Sequence, residues 1–221
     1  MSDRLLGISK WRIMNKTIAK KLNISGIRTK YFPLKTKEGF CIRPSDAKEV
    51  YDFLGKAYNK VFPPGDDCLC FRVSPERRQQ MAPLRKLYSV IHHEWFLFLN
   101  PKGQPIGWHM GEAEDHQTFY MWNSGILPEY QNRGLFTAFS ETFMRYLREL
   151  GYERISSHHK PTNRRILILK LKQGFDISGF EMTENWGALV KLIKILPRDR
   201  REAFYKMFGE ASHLDERAPR G

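Results

Sequence analysis

The feature that most constrains the fold is a junction between an extended apolar run and a long helical pattern. Residues 119–127 form the apolar run, and Pro128-Glu129-Tyr130 interrupts it. After Gln131-Asn132-Arg133-Gly134, apolar side chains recur every three or four residues, which indicates one buried helical face. These apolar positions are Leu135, Phe139, Phe143, Leu147 and Leu150. The sequence therefore predicts a strand that leads through a glycine-containing turn into a helix.

This junction is a candidate phosphate site. The first N–H groups of a helix lack intrahelical partners, and the positive end of the helix dipole lies beside them. Gly134 would let an anion approach the backbone closely, and Arg133 adds a positive charge. An ordinary turn is the alternative interpretation of these two residues.

Composition limits the classes of protein. With 221 residues and 41% hydrophobic content, we expect one domain with extensions. The formal net charge of +13 would attract nucleic acid, anionic lipid, a phosphorylated cofactor or an acidic partner. A solvated basic surface is the alternative.

Cysteine use and hydropathy indicate a cytoplasmic protein. Cys41, Cys68 and Cys70 fit neither a disulfide framework nor a zinc site, so we expect a reducing compartment. We find no secretory signal and no apolar run long enough to span a bilayer.

Residues 1–38 form a basic N-terminal extension. They carry ten Lys or Arg against two acidic residues, a net charge of +8. Trp11, Met14, Ile18 and Leu22 stand at helical spacing, which predicts a short amphipathic helix. It could contact a membrane surface or nucleic acid, although we favour packing against its own domain. In a eukaryotic source, a transit peptide is a further alternative.

The predicted domain covers residues 39–196 and alternates strands with helices. A strand at 40–43 leads to a helix with Ser45 as its N-cap, and a second helix runs from Pro75 to Leu87. Residues 94–99, 104–114 and 119–127 predict an antiparallel meander, and a strand at 153–158 should lie parallel to its third strand. A helix at 163–172 and a hairpin at 175–183 and 187–195 complete the domain, before a C-terminal helix and polar tail at 197–221. We therefore expect an α/β (α+β) fold, a mixed, mostly antiparallel sheet with helices on both faces.

Two motifs in this order resemble the GNAT superfamily of acetyl-CoA-dependent N-acetyltransferases. Gln131, Gly134 and Phe136 match its first signature after Pro128-Glu129-Tyr130, and Asn163 with Gly174-Phe175 matches its second. The resemblance covers residues 39–196 and implies acetyl-CoA as co-substrate.

The resemblance also implies which residues hold acetyl-CoA. The pyrophosphate would lie on the signature, and the pantetheine arm would lie along the end of the preceding strand. The implied cofactor-binding residues are Gly125, Ile126, Leu127, Gln131, Asn132, Arg133, Gly134, Phe136, Thr137 and Asn163.

Two residues depart from the family pattern. Phe136 stands where a small residue is usual. Lys170 stands where many members carry a Tyr that is thought to protonate the departing thiolate. A lysine can donate a proton too, and a solvated lysine on the helix surface is the alternative.

Acyl transfer to an amine requires a base for the amine proton and a donor for the carbonyl oxygen. His158 and His159, at the end of a strand just before Asn163, are candidate bases, and adjacent strand residues point to opposite faces, so we expect at most one to reach the substrate. Glu112, Glu114 and Tyr120 are alternatives, and the N–H groups near Ile126 and Leu127 could polarise the carbonyl. We assign no metal to His92-His93-Glu94 because neighbouring strand residues diverge.

The sequence thus predicts an N-acetyltransferase that passes an acetyl group from acetyl-CoA directly to an amine on an unidentified small molecule or peptide. The alternative is a non-catalytic module that senses acyl-CoA or binds nucleic acid through residues 1–38. Nucleic acid is not favoured, because no recognisable binding motif for it is present.

Overall fold

The computed structural model describes residues 23–62 and 73–207. Within these ranges the chain forms six α-helices, eight strands and one short 3₁₀ turn at Pro128–Tyr130. The helices are α1 (Ile24–Tyr31), α2 (Ala47–Val61), α3 (Pro75–Tyr88), α4 (Leu135–Glu149), α5 (Arg164–Lys172) and α6 (Arg198–Met207). The strands are β1 (Leu34–Lys35), β2 (Cys41–Pro44), β3 (His93–Leu99), β4 (Pro105–Ala113), β5 (Thr118–Ile126), β6 (Arg154–His159), β7 (Asp176–Thr183) and β8 (Gly187–Ile195).

All eight strands belong to one sheet in the order β1-β2-β3-β4-β5-β6-β8-β7. β3, β4 and β5 form the predicted antiparallel meander, and β7 and β8 form the predicted hairpin. β6 lies parallel to β5 after the crossover through α4, as the sequence predicts. The predicted fold class is therefore confirmed.

The sheet opens between β5 and β6. The two strands pair over only three positions, from Thr118 with Arg154 to Tyr120 with Ser156. β5 then continues to Ile126 without β6, while the end of β6 pairs only with β8. The backbone edges of both strands therefore face each other across a gap in the middle of the sheet.

Helices cover both faces of the sheet, each over its own apolar cluster. Phe96 and Leu97 are neighbours on β3, so their side chains point to opposite faces. Phe96 packs in the cluster that contains Phe139 and Phe143 of α4. Leu97 packs in a second cluster with Val50 of α2. Burial of these side chains fixes α4 and α2 on opposite sides of the sheet.

Part of the predicted basic extension is built into this domain. Phe32 is only 3% exposed and packs against Phe96 with ring centroids 4.5 Å apart. β1 pairs with β2, and the Arg28 guanidinium donates to buried Glu94 at 2.9 Å. The amphipathic stripe from Trp11 to Leu22 lies outside the described residues.

The helix cap predicted at Ser45 is wrong by one residue. The Asp46 carboxylate accepts the Glu49 N–H at 2.8 Å and caps α2, while the Ser45 hydroxyl donates to the Glu49 carboxylate. Serine and aspartate can both cap a helix. Asp46 is the N-cap here because its backbone is extended and its side chain accepts from the first turn of α2. Among helices in the described ranges, none combines the length and apolar character needed to cross a bilayer.

Candidate active site

A cavity of about 1000 Å³ occupies the opening between β5 and β6. It extends from the start of α4 to the end of β6 and the first turns of α5. Its walls bring together most of the residues singled out from the sequence. These are Tyr120, Gly125, Ile126, Gln131, Asn132, Arg133, Gly134, Phe136, Thr137, His158, His159, Asn163 and Lys170.

The start of α4 forms one end of the cavity and suits an anion. Gly134 is the N-cap with a φ of 70°, and no described side chain caps the helix there. A Cβ on Gly134 would meet nothing within 4 Å, so the space in front of the backbone is open. Asn132 also has a positive φ, of 62°, which turns the loop tightly before the helix. The first N–H groups of α4 are therefore free to bind phosphate oxygens.

Side chains from two elements hold this loop in place. The Gln131 side-chain amide donates to the Ile126 carbonyl at 2.8 Å, which ties the loop to the end of β5. The Arg165 guanidinium donates to the Gln131 side-chain oxygen at 3.4 Å and to Asn132 Oδ1. Arg165 was not predicted from the sequence, although its place just after Asn163 puts it in the first turn of α5. It adds a positive charge to this end of the cavity.

Asn163 has a structural role in addition to its place in the cavity wall. Its Oδ1 accepts the Ile166 N–H at 3.4 Å and caps α5. Asn163 thus both begins α5 and lines the cavity.

Leu127 departs from the prediction for the pantetheine strand. Its N–H donates to the Ile106 carbonyl of β4 at 2.8 Å, and its side chain packs against the cluster beneath α2. Leu127 does not line the cavity, whereas Gly125 and Ile126 do. Because its N–H is already bound, Leu127 cannot polarise an acyl carbonyl as the sequence suggested.

Lys170 is buried, so the alternative of a solvated surface lysine is wrong. Its side chain is 1% exposed, and its Nζ lies 3.0 Å from Met121 Sδ and 4.3 Å from the centre of the Phe175 ring. Burial, with a smaller contribution from the positive charge of Lys194, lowers the pKa of Lys170 to about 7. A lysine in this setting exchanges its proton near neutral pH.

The two histidines occupy opposite faces at the end of β6. His158 packs against the Tyr120 ring at 5.0 Å between centroids, and its Nε2 lies 3.4 Å from Glu181 Oε2, without hydrogen-bond alignment. His159 Nε2 lies 3.2 Å from Ser157 Oγ. Both border the cavity, and it stays a prediction that at most one of them reaches the substrate.

The pKa values of His158, His159 and Tyr120 distinguish these candidate bases. Burial, with a smaller contribution from the charge of Lys170, lowers the pKa of His159 to about 3, so this imidazole is a weak base. Burial lowers the pKa of His158 too, but Glu181 opposes that effect. Burial and nearby carboxylates raise the pKa of Tyr120 to about 12, so its hydroxyl stays protonated. His158 is therefore the best-placed neutral base in the cavity.

Glu112 and Glu114 do not line the cavity. Burial raises the pKa of Glu112, but His93, whose Nε2 lies 3.5 Å from Glu112 Oε2, and Tyr88 outweigh it and lower the pKa overall. Glu114 accepts from Lys191 at 2.9 Å and from the Ser156 hydroxyl. Both carboxylates thus interact with side chains outside the cavity, contrary to the prediction that either could be the base. No group of three potential metal-ligating side chains occurs within the described part of the chain.

More than half of the chain matches the model of one protein family. The model of the acetyltransferase (GNAT) family matches residues 57–175, which is 119 of the 221 residues. The chain belongs to the GNAT family of acetyltransferases. A search of curated proteins found no match in sequence.

Solved structures share the fold at low sequence identity. The Salmonella typhimurium protein yncA, solved with its cofactor acetyl-CoA, superposes with a TM-score of 0.53 and 14% identity over 72% of this chain and 95% of that one. The ribosomal-protein-S5-alanine acetyltransferase of Vibrio fischeri gives 0.53 and 15% identity over 72% and 94%. An N-acetyltransferase of Staphylococcus aureus gives 0.52 and 12% identity over 72% and 99%. Many solved GNAT acetyltransferases thus have the same arrangement of strands and helices.

Proposed function

We propose that this GNAT acetyltransferase transfers the acetyl group of acetyl-CoA directly to an amine nitrogen. The observation that carries the proposal is the cavity between β5 and β6, which has an uncapped helix start at one end and titratable side chains at the other. This arrangement fits a long ligand with phosphates at one end and a reactive group at the other. The yncA structure, with acetyl-CoA as its cofactor, supports the same co-substrate here.

The N–H groups at the start of α4, with Arg133 and Arg165, would bind the pyrophosphate. Gly125 and Ile126 would lie along the pantetheine arm, where the edge of β5 that faces β6 has no neighbouring strand. Phe136 is the unusual residue of the signature, but its ring packs towards Phe139 with centroids 6.3 Å apart, so it does not displace the backbone donors.

His158 would act as the general base. It lines the cavity and is neutral at pH 7 because its pKa is lowered, so it can take a proton from the incoming amine. Glu181, whose Oε2 lies 3.4 Å from His158 Nε2, would stabilise the imidazolium that forms.

Lys170 would act as the general acid. Its ammonium gives a proton to the sulfur as the carbon–sulfur bond breaks, and the amine nitrogen keeps the acetyl group. A pKa of about 7 suits this step, because near neutral pH a large fraction of Lys170 is protonated and the ammonium is acidic enough to donate its proton.

Substitution of Gly134 tests the phosphate site. We expect Gly134→Glu to abolish acetyl-CoA binding in calorimetric titrations, because a carboxylate would stand where the phosphates bind. Gly151→Glu is the matched control: Gly151 has a φ of 99° and open space around it, but lies at the other end of α4. Both variants carry backbone strain, so unfolding should be measured alongside. Retained binding by a folded Gly134→Glu protein would refute the site.

The acceptor amine, on a small molecule or a peptide, stays a prediction, as does a cytoplasmic location. The non-catalytic alternative, an acyl-CoA sensor or nucleic-acid binder using residues 1–38, stays the second candidate. Transfer of acetyl from acetyl-CoA to any amine would refute a purely non-catalytic role.

A further inference from the structure

A half-buried serine in the cavity wall pairs with a buried histidine behind it, and neither has a role in the proposed function. Ser124 on β5 and His109 on β4 stand directly opposite each other, and Ser124 Oγ lies 2.7 Å from His109 Nδ1. Ser124 lines the cavity one residue from Gly125, whereas His109 is fully buried. The serine hydroxyl therefore has the ligand space on one side and an imidazole on the other.

His109 is held in an apolar environment. Its ring centroid lies 4.8 Å from those of both Phe139 and Phe143. Its Nε2 is buried and has no hydrogen-bond partner among the described residues. Burial, and to a lesser degree the charge of Lys170, lowers the pKa of His109 well below its usual value. The imidazole is therefore neutral.

The neutral ring has two tautomers with different consequences. A proton on Nε2 would be a buried N–H donor without an acceptor, which is rarer and costlier than an unused lone pair. The proton therefore belongs on Nδ1, which donates to Ser124 Oγ. The hydroxyl hydrogen of Ser124 then cannot point at His109 and is left to donate to a group in the cavity.

The same facts exclude a nucleophilic role for Ser124. A serine nucleophile needs a histidine that accepts its proton and a partner that stabilises the imidazolium. Within the described ranges no carboxylate pairs with His109, and its aromatic surroundings disfavour a charged ring. Ser124 is thus arranged to donate a hydrogen bond and not to attack.

We propose that the Ser124 hydroxyl, oriented by His109, donates a hydrogen bond to the thioester carbonyl oxygen of bound acetyl-CoA. This inference rests on the proposed function, because it takes acetyl-CoA as the occupant of the cavity. Ser124 supplies the donor that Leu127 cannot, since the Leu127 N–H is bound to Ile106. Ser124 would be a catalytic residue and His109 a positioning residue, and the bond would strengthen as negative charge develops on the oxygen.

Comparison of CoA with acetyl-CoA tests this without knowledge of the acceptor. CoA lacks the carbonyl, so Ser124→Ala should leave its dissociation constant unchanged. The dissociation constant of acetyl-CoA should rise about fivefold, the value of one neutral hydrogen bond. Ser156→Ala is the matched control, because Ser156 is a buried strand serine whose hydroxyl bonds to Glu114 outside the cavity. It should change neither constant.

Infrared spectroscopy of acetyl-CoA labelled with ¹³C at the carbonyl gives a direct signature. A hydrogen bond lowers the carbonyl stretching frequency, so the bound ligand should absorb at higher frequency in Ser124→Ala than in the wild-type protein. A merely structural role for Ser124 would not move this band relative to the wild type.

Two substitutions of His109 test the positioning role. His109→Asn places an amide donor close to the position of Nδ1 and should keep the wild-type band and affinity ratio. His109→Phe fills the space without a donor. Its carbonyl band should lie at higher frequency than in the wild type, and its dissociation constant for acetyl-CoA should rise while that for CoA stays unchanged.

Each other outcome is informative. An unshifted carbonyl band in Ser124→Ala, or equal weakening of CoA and acetyl-CoA, would overturn the inference while leaving the acetyltransferase proposal standing. An acetyl group found on Ser124 by mass spectrometry would also overturn it, in favour of a nucleophile. Failure of the wild-type protein to bind CoA or acetyl-CoA would instead refute the proposed function itself.

Discussion

Replacement of the buried lysine should stabilise the protein and impair its activity. Lys170 lies in the apolar space between Met121 and Phe175, with a thioether sulfur as its nearest hydrogen-bond acceptor. Methionine has a similar length and volume and no charge, so Lys170→Met should pack in the same space. The variant removes the cost of burying an amine that is charged in the unfolded chain.

The size of this cost follows from the pKa of Lys170. The group titrates near 7 in the folded protein and near 10.5 when unfolded. Between these values the unfolded chain holds one proton more, so the free energy of unfolding of the wild type rises with pH by about 1.4 kcal/mol per unit. The cost of keeping Lys170 buried is therefore about 3 kcal/mol at pH 8 and about 2 kcal/mol at pH 9.

Urea unfolding of both proteins at pH 7, 8 and 9 measures this difference. Lys170→Met should be the more stable at each pH, and its advantage should shrink as the pH rises. Lys194, whose pKa is lowered to about 8, titrates in both proteins and largely cancels in the comparison. His109 and His159 are neutral throughout this range because their pKa values are lowered.

Lys172→Met is the matched control, because Lys172 lies on the same helix with an exposed side chain. It should show no pH-dependent advantage. An advantage of Lys170→Met that is absent at pH 7, or constant from pH 7 to 9, would refute the neutral buried lysine. Loss of the proton donor should also lower kcat about a hundredfold, and an unchanged kcat would remove Lys170 from the mechanism while leaving its burial intact.

Two further predictions concern the base and the N-terminal segment. His158 must be neutral to take a proton, and its pKa is lowered. As the pH decreases, kcat/KM should therefore begin to fall only below about 6.5, the usual pKa of histidine. His158→Gln should abolish this fall at acid pH, and a fall that persists would point to another base. Arg28→Ala would leave buried Glu94 without its guanidinium partner. Removing one partner of a buried ion pair costs about 3–5 kcal/mol. Because Arg28 is partly exposed, we expect the free energy of unfolding measured in urea to fall by about 3 kcal/mol, at the lower end of that range. Lys30→Ala, which breaks the exposed pair with Glu149, should cost less than about 1 kcal/mol, so similar losses in both variants would argue against a special role for Arg28.

The strands and helices were largely predictable because their periodicity is strong. The meander, the parallel crossover and the hairpin follow from apolar runs separated by turn residues, and the structure has them in the predicted order. The opening between β5 and β6 was not predictable from periodicity, since it depends on where two strands cease to pair. The residues that close the cavity from α2 and from the β7–β8 turn, such as Phe62 and Trp186, also depend on tertiary placement.

The orientation of α5 shows how composition can mislead. Ile168 and Leu171 are 53% and 44% exposed, while Lys170 between them is buried. A count of apolar residues would place the leucines and isoleucines inside and the lysine outside. The spacing did hold the correct signal, because Lys170 follows Ile166 and Leu167 by four and three residues and so shares their partly buried face. The buried position of α5 is therefore occupied by a lysine, a residue type that is rarely fully buried.

The serine–histidine pair depends on a single extra residue in β5. Gly111 stands opposite Met121, and a regular antiparallel ladder continued from that pair would set His109 opposite Asn123. A bulge intervenes: Met110 pairs with Asn123, so Trp122 is the additional residue and His109 meets Ser124 instead. Because a shift of one residue turns every later side chain to the other face, the bulge sets Ser124 and not Asn123 between the buried imidazole and the cavity. Sequence patterns cannot show such a register change, since Trp122 and its neighbours fit a continuous strand equally well. The side chains that β5 presents to the cavity after Trp122 are therefore set by the position of the bulge.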